Sequence, residues 1–365
     1  MAVVRWCVML GCAVLAVVVL TAGLPSAPAP RPPRWQVSTA IHAADAGLTD
    51  VIATGRDDAW ATGSSAASTP VVYRWDGNRW QPMDRPGSSG SAAASVAASS
   101  AANVWVAIAD EAAVDHWNGH AWSRVSFGPP GRIEIDGIAT SGRRDVWAFA
   151  YNRVRKRETA FHYDGTAWRG TPLAVTLGGG GTARLVSSSS RSNIWAWAYD
   201  VARGGWVSLH FNGSRWRVIP LPARLLPAGH TILPEQMLAV SATSVWGTIY
   251  AATGSSRGPV VLMHWNGLRW SRVTGRLPAG ALAGPIAGDG NGGLWLYAVR
   301  PAGAGYLVHY LHGTWTSAAG PASSGSTVSV TALTHVPGTS SLWASGTIGV
   351  GFGTSHGAAI LSYGR

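Results

Sequence analysis

Cysteine and lysine are nearly absent from this sequence. Its two cysteines, Cys7 and Cys12, both fall within the first twelve residues, so the rest of the chain can hold neither a disulfide nor a thiolate-bound metal. Of the 28 basic residues, 27 are arginine and one is Lys156. Arg155 precedes that lysine, which excludes the Gly-Lys-Ser/Thr of a phosphate-binding loop. The HExxH pattern is missing too. Charged residues are 12% of the 365, and only 17 are carboxylates. Low charge argues for disorder only where apolar content is also low, and here it reaches 47%. The chain therefore has ample material for a core.

Its long apolar run lies at the start. Arg5 precedes an uncharged stretch from Trp6 to Leu24, followed by the Pro-rich PSAPAPRPP of 25–33. A cationic start, an apolar core and small residues around Ala22 and Gly23 read as a signal peptide. The same 19 residues are long enough to span a bilayer, so 1–24 is a cleaved signal or a signal anchor. Cys12 sits too early in the run for a lipoprotein signal. The expected location is outside the cytoplasmic membrane, secreted or anchored to its outer side. The arginine bias with abundant Ala and Gly suggests a GC-rich bacterial genome.

What is abundant is tryptophan, 20 residues of it, and glycine, 46. Two signatures recur. The first is a turn residue, an apolar residue and Trp, at Trp60, Trp105, Trp147, Trp195, Trp246, Trp295 and Trp343. The spacings are 45, 42, 48, 51, 49 and 48 residues, the period of propeller blades. The second follows each of the first six: RWDGNRW, HWNGHAW, HYDGTAW, HFNGSRW, HWNGLRW and the degenerate HYLHGTW. Asp-Gly or Asn-Gly between alternating runs predicts a hairpin with a type I′ turn. Each repeat reads as four strands, the innermost built of small residues such as VAASS from Val96. The seventh repeat lacks a fourth strand, while RWQVS at 34–38 supplies an orphan one. Residues 34–365 are thus expected to form an all-β, seven-bladed propeller of four-stranded antiparallel blades, the last closed by the N-terminal strand.

These DVWA and HWNGxxW-type units resemble the tryptophan-repeat β-propellers of secreted proteins from high-GC Gram-positive bacteria. The resemblance covers Trp35 to Arg365. It implies the fold and says little about activity.

Recurrence in every unit assigns 17 of the 19 tryptophans beyond the apolar start to blade-to-blade packing. Trp197 and Trp206 are left over, flanking a loop of the fourth unit, and are the candidate ligand-binding aromatics. His116, His162, His210, His264 and His309 precede the strand-three aromatic and would lie around a ring, too far apart to share a metal. They are expected to hydrogen-bond a neighbouring strand or loop. No metal site and no cofactor are expected.

Two catalytic patterns fail on context. GDGNGG from Gly288 leads into a strand, so a pyrophosphate would find no helix N-terminus. GSSRG from Gly254 lies in a loop between strands, not at a strand-to-helix elbow. The glycines from Gly178 to Gly181 read as a connector between blades. Asp58, Asp76, Asp145 and Asp164 stand where other units carry Asn or Ser, which is turn chemistry. Asp50 and Asp136 fall on first strands facing an axial channel, the one place for a glycosidase-like carboxylate pair.

The net charge is +11. Arg153, Arg155, Lys156 and Arg157 cluster in one loop of the third unit, and Arg143 and Arg144 lie in the turn before it. An anionic partner would engage them. The leading reading is a non-catalytic, monomeric binding or scaffold module of the cell envelope, with a protein or an anionic or glycan component as partner. No nucleic acid is expected, and membrane contact only through the N-terminal segment. A lectin is the alternative and predicts Trp197 and Trp206 exposed. A glycoside hydrolase is the third and predicts clustered carboxylates of raised pKa at the channel mouth.

Overall fold

The computed structural model describes residues 33–41, 46–65, 67, 69–85, 93–108, 111–129, 131–155, 157–173, 175, 184–226, 229–253, 258–274, 277–301, 303–321, 327–349 and 355–364. For Ala93, Ala94, Asp136, Arg157, Pro172, Arg184, Leu185, Ala223, Thr327, Ser355 and His356 only the backbone is described. The N-terminal apolar run, most of the Pro-rich segment, Lys156, Gly178–Gly181 and most of the Gly254 pattern lie outside the described residues.

Among the described residues twenty-eight strands, β1–β28, form seven four-stranded antiparallel sheets, with two short 3-10 turns besides. The innermost strands are β2 (Gly47–Gly55), β6 (Ala93–Ser100), β10 (Ile133–Gly142), β14 (Arg184–Ser190), β18 (Thr231–Ser241), β22 (Leu282–Gly288) and β26 (Thr327–His335). Each neighbours the next, and β26 returns to β2, which closes the ring. All seven carry a register shift against the second strand of their own blade. Such a bulge bends the strand and re-aims side chains, and here it lets wide sheets converge on a narrow axis. The seventh blade is spliced as expected: β1 (Trp35–Ile41) pairs antiparallel with β28 (Ser355–Tyr363), Trp35 opposite Tyr363. Trp35 Nε1 also donates to the Ala319 carbonyl of the sixth blade at 3.1 Å.

The core is an aromatic belt. Six of the seven second-strand tryptophans insert between the strand-three aromatic and the strand-four tryptophan of the following blade, and Trp295 meets the strand-three Tyr363. Trp60 meets Trp117 and Trp122 with ring centroids 6.0 and 5.9 Å away. Trp105 meets Tyr163 and Trp168, Trp147 meets Phe211 and Trp216, and Trp195 meets Trp265 and Trp270. The series continues from Trp246 to Tyr310 and Trp315, from Trp295 to Tyr363, and from Trp343 back to Trp75 and Trp80. Strand-four rings meet the inserted ring edge to face, the arrangement favoured by ring quadrupoles, worth about 0.5–1.5 kcal/mol per pair beyond burial. The recurrent tryptophans are therefore structural, as the repeat implies.

The hairpins between third and fourth strands differ from the expected turn. A type I′ turn needs positive φ at both central residues. In five blades only the glycine has it: Gly77, Gly119, Gly165, Gly213 and Gly267, with φ from 92° to 101°. The preceding Asp or Asn instead accepts two backbone N–H groups with its side chain. Asp76 Oδ1 takes those of Asn78 and Arg79, both at 2.9 Å. Asn118, Asp164, Asn212 and Asn266 repeat the pattern. The degenerate sixth copy is the one with two positive φ values, 47° at His312 and 85° at Gly313.

Candidate functional site

Strand polarity gives the ring two unlike faces. Connections from first to second and from third to fourth strand lie on one, here the turn face. Those from second to third strand and from blade to blade lie on the other, the link face. Three places hold side chains with chemistry: the strand-three histidines, the axial channel and the link face of the third blade.

The histidines resolve into one repeated trio. Each stacks on the second-strand tryptophan of its own blade, His116 on Trp105 at 3.9 Å and His309 on Trp295 at 3.9 Å, with His162, His210 and His264 alike. In four blades Nε2 bonds the polar residue opening the second strand, Asn103 at 3.0 Å, Asp145 at 2.7 Å, Asn193 at 3.0 Å and Ser244 at 3.1 Å, and in the sixth it bonds Asp289 in the turn before that strand at 2.9 Å. In the first blade Arg74 replaces histidine, bonding Asp58 at 3.0 Å with its guanidinium 5.2 Å from the Trp60 ring centre. Asp58 and Asp145 thus do more than shape turns: they seat a cation or imidazole against the belt. Burial, with the Arg143 guanidinium nearby, pushes His116 down to about 4, and burial with Arg217 does the same to His210.

The axial channel is a cavity of about 500 Å³ bounded by all seven innermost strands. Asp50 lines it, as expected. Its two oxygens accept the N–H groups of Val51 at 2.8 Å and Val96 at 2.9 Å, tying the first blade to the second. Burial raises its pKa to about 6, against the lowering pull of those two amides. Ser95 and Ser187 repeat the device with hydroxyls, accepting from Ile138 and Ala239 of the blades that follow their own. Asp50 is therefore the acidic member of a blade-linking set. No other carboxylate lines the cavity among the described residues, and the side chain of Asp136 lies outside them.

The other candidate residues do not form one site. Trp197 is buried and not exposed: its ring covers Gly247 of the next blade, its indole N–H donates to the Gln236 carbonyl at 3.2 Å, and it stacks with Trp270. The space above it exists because residue 247 has no side chain. Trp206 is half-buried, edge-on to Tyr199 at 5.6 Å. Arg143 and Arg144 are on the turn face, where Arg144 lies against Gly165. The eight-residue β11 (Asp145–Asn152) separates them from Arg153 and Arg155 on the link face, about 26 Å away at strand rise. The candidate arginines of the third unit thus divide between opposite faces. Arg157 opens β12 (Arg157–Tyr163), and its side chain lies outside the described residues.

At that link-face tip Arg153 is an anchor. Its guanidinium bonds Glu134 at 2.9 Å, and its backbone N–H donates to the Arg132 carbonyl at 2.9 Å. Asn152 Oδ1 accepts the N–H groups of Val154 and Arg155, at 3.1 and 2.8 Å. Beneath the tip is a cavity of about 320 Å³ walled by Phe127, Ile133 and Phe161, with Asn152, Arg155 and Glu158 at its polar side. Sequence reasoning missed Phe127 and Phe161. They are 34 positions apart, and only the packing of the third blade on the preceding link brings their rings to 4.5 Å.

No known family profile matches this chain, and no curated protein matches it in sequence. Solved structures do match in fold. A structure of YCF48 bound to D1 peptide superposes with a TM-score of 0.61 at 14% identity, covering 93% of this chain and 97% of that one. An inactive virginiamycin B lyase from Staphylococcus aureus, with quinupristin, gives 0.64 at 11% identity over 91% and 99%. The WD40 repeats of RRP9 give 0.60 at 11% identity over 91% and 99%. Enzymes and non-enzymes share this architecture, and at such identities the likeness establishes one thing: the chain is a seven-bladed β-propeller.

Proposed function

We propose that the protein is an exported, non-catalytic propeller that binds a protein partner at the cell envelope through its link face. The observation carrying this is the unequal treatment of the two faces. Five of the six hairpins between third and fourth strands on the turn face are the same four-residue, Asn- or Asp-capped turn, and five of its first-to-second connections are two residues long. Link-face connectors range from four residues, 201–204, to eleven, 173–183, with no shared sequence. A repeat that keeps one face uniform and varies the other uses the second for recognition.

Export is supported by the N-terminal apolar run, and membership of the secreted tryptophan-repeat propellers by the DVWA and HWNGxxW units. The net charge of +11 favours an acidic partner. A peptide-bound propeller of the same fold, YCF48 with D1 peptide, adds precedent for a polypeptide ligand. A photo-crosslinking amino acid at Val201 on the link face should give adducts with an envelope protein in intact cells. The same group at Leu268, 85% exposed on the turn face, should give none. Adducts from Leu268 alone would overturn the reading.

A further inference from the structure

The cavity beneath the third-blade tip has an unusual combination of walls. Phe127 and Phe161 face each other at 4.5 Å, and Phe127 is held edge-on by Trp168 at 5.2 Å, so the apolar wall is rigid. Its volume of about 320 Å³ is at the low end of the ligand-site range of about 300–1,000 Å³. That suits one large side chain better than a sugar chain.

A second, shallower depression adjoins it, lined by Pro129, Arg132, Ile133 and Val154. Ile133 and Arg155 belong to both, so the two form one groove. Val154 is 66% exposed at its edge, an apolar side chain that the fold leaves in water.

The two arginines at this groove differ from Arg153. Glu134 already holds Arg153, fixing the tip against β10. Arg132 and Arg155 are exposed, and neither guanidinium has a carboxylate partner among the described residues. Both line the same depression, and their backbones are tied at the tip, where the Arg153 amide bonds the Arg132 carbonyl and the Asn152 side chain accepts the Arg155 N–H. The groove thus pairs an apolar pocket, which also holds the buried Glu158, with two exposed arginines along the adjoining depression. Arginine favours carboxylates through its planar fork of donors.

We infer that this groove, on the second-to-third blade boundary, binds an extended acidic peptide segment, seating one aromatic or branched side chain in the Phe127–Phe161 pocket with a flanking carboxylate on Arg132 and Arg155. The inference rests on the link-face reading and names the site and the ligand chemistry. Its apolar anchor sets it apart from a diffuse anionic contact, which salt alone would dissolve.

The test uses a fluorescein-labelled peptide with one phenylalanine between two aspartates. Fluorescence anisotropy with the full protein should show saturable binding. Binding should weaken by about tenfold or more with Arg155→Glu and with Arg132→Glu, as expected for loss of a charge-paired contact. Replacing the peptide's phenylalanine by alanine, or its aspartates by asparagine, should weaken it likewise. Arg215→Glu on the turn face is the control for net charge and should cost far less. Thermal melts check that each variant is folded. No binding by the native protein up to about 1 mM peptide overturns the inference. So does equal binding by the alanine or asparagine peptides, or insensitivity to both groove variants. Adducts from Val201 that persist in that case would leave the link-face reading standing, and their loss as well would remove both.

Discussion

At the residue scale, one trio explains three conspicuous repeats. The polar opener of the second strand, the tryptophan two positions on and the histidine across the ladder form a single packed unit. Its imidazoles give the fold a pH dependence. His116 and His210 are held near 4, below the ordinary 6.5, so between those values the unfolded chain binds protons that the folded one refuses. Stability from these groups is complete above about 6.5 and is lost as pH falls through the window. Asp50 opposes this: held near 6 against an ordinary 3.8, it binds a proton in the folded state first, and its contribution falls as pH rises between those values. Denaturant midpoints should therefore drop from pH 7 to pH 4.5, and a His116→Gln, His210→Gln variant should show a shallower decline. The trio's tryptophan is less replaceable. Trp105→Ala, removing a fully buried ring, should cost about 3–5 kcal/mol in urea unfolding, whereas Trp206→Ala, half-buried at an edge, should cost clearly less.

At the element scale, legibility in the sequence followed the repeat. Strand number, blade boundaries and the splice of RWQVS onto ILSYG were readable because each unit restates the others, so an error in one is corrected by six. What stands outside the repeat has no such check. Trp197 looked like a spare loop aromatic because the residue that makes room for it, Gly247, is 50 positions later in another blade. The Asp-Gly dipeptide predicts a type I′ turn because it does not reveal that the aspartate side chain joins its backbone in closing the loop. Sequence proximity does not reveal that the Arg143–Arg144 turn and the loop at 153–157 lie on opposite faces, because it hides the length of β11. The Phe127–Phe161 groove was invisible, being made by register. The strand-level test is the splice itself. Removing 34–38 deletes most of β1, including the Trp35 indole bond to Ala319, and exposes the edge of β28. The variant should melt well below the native protein and self-associate, and an unchanged melt would contradict the closure.

At the scale of the whole molecule, stability comes from a cycle of near-identical contacts, each blade gripping the next by a tryptophan. Damage to one grip is felt by two blades. The ring also explains why a chain so poor in carboxylates can be so basic: among the described residues its interior depends on indole, amide and hydroxyl groups with few buried ion pairs, and leaves most of the arginine charge to the surface. One such buried network does exist, Arg85 and Arg124 around Asp115 and Glu111, where it fastens the link after the first blade to the second.

The pairing of Trp35 with Tyr363 has a topological consequence. Gly364 donates its N–H to the Arg34 carbonyl at 3.3 Å, so the two ends of the propeller meet inside one sheet. A circle of blades joined this way has no first member, and the place where the chain starts is a matter of genetics more than of architecture. A circular permutant joining residue 364 to residue 34 through a short Gly-Ser bridge, and opened within the link 221–230, should fold to the same far-ultraviolet spectrum with a melting point close to that of the parent. Failure to fold would mean that the order in which the blades emerge, and not only the ring they close, is needed to reach this structure.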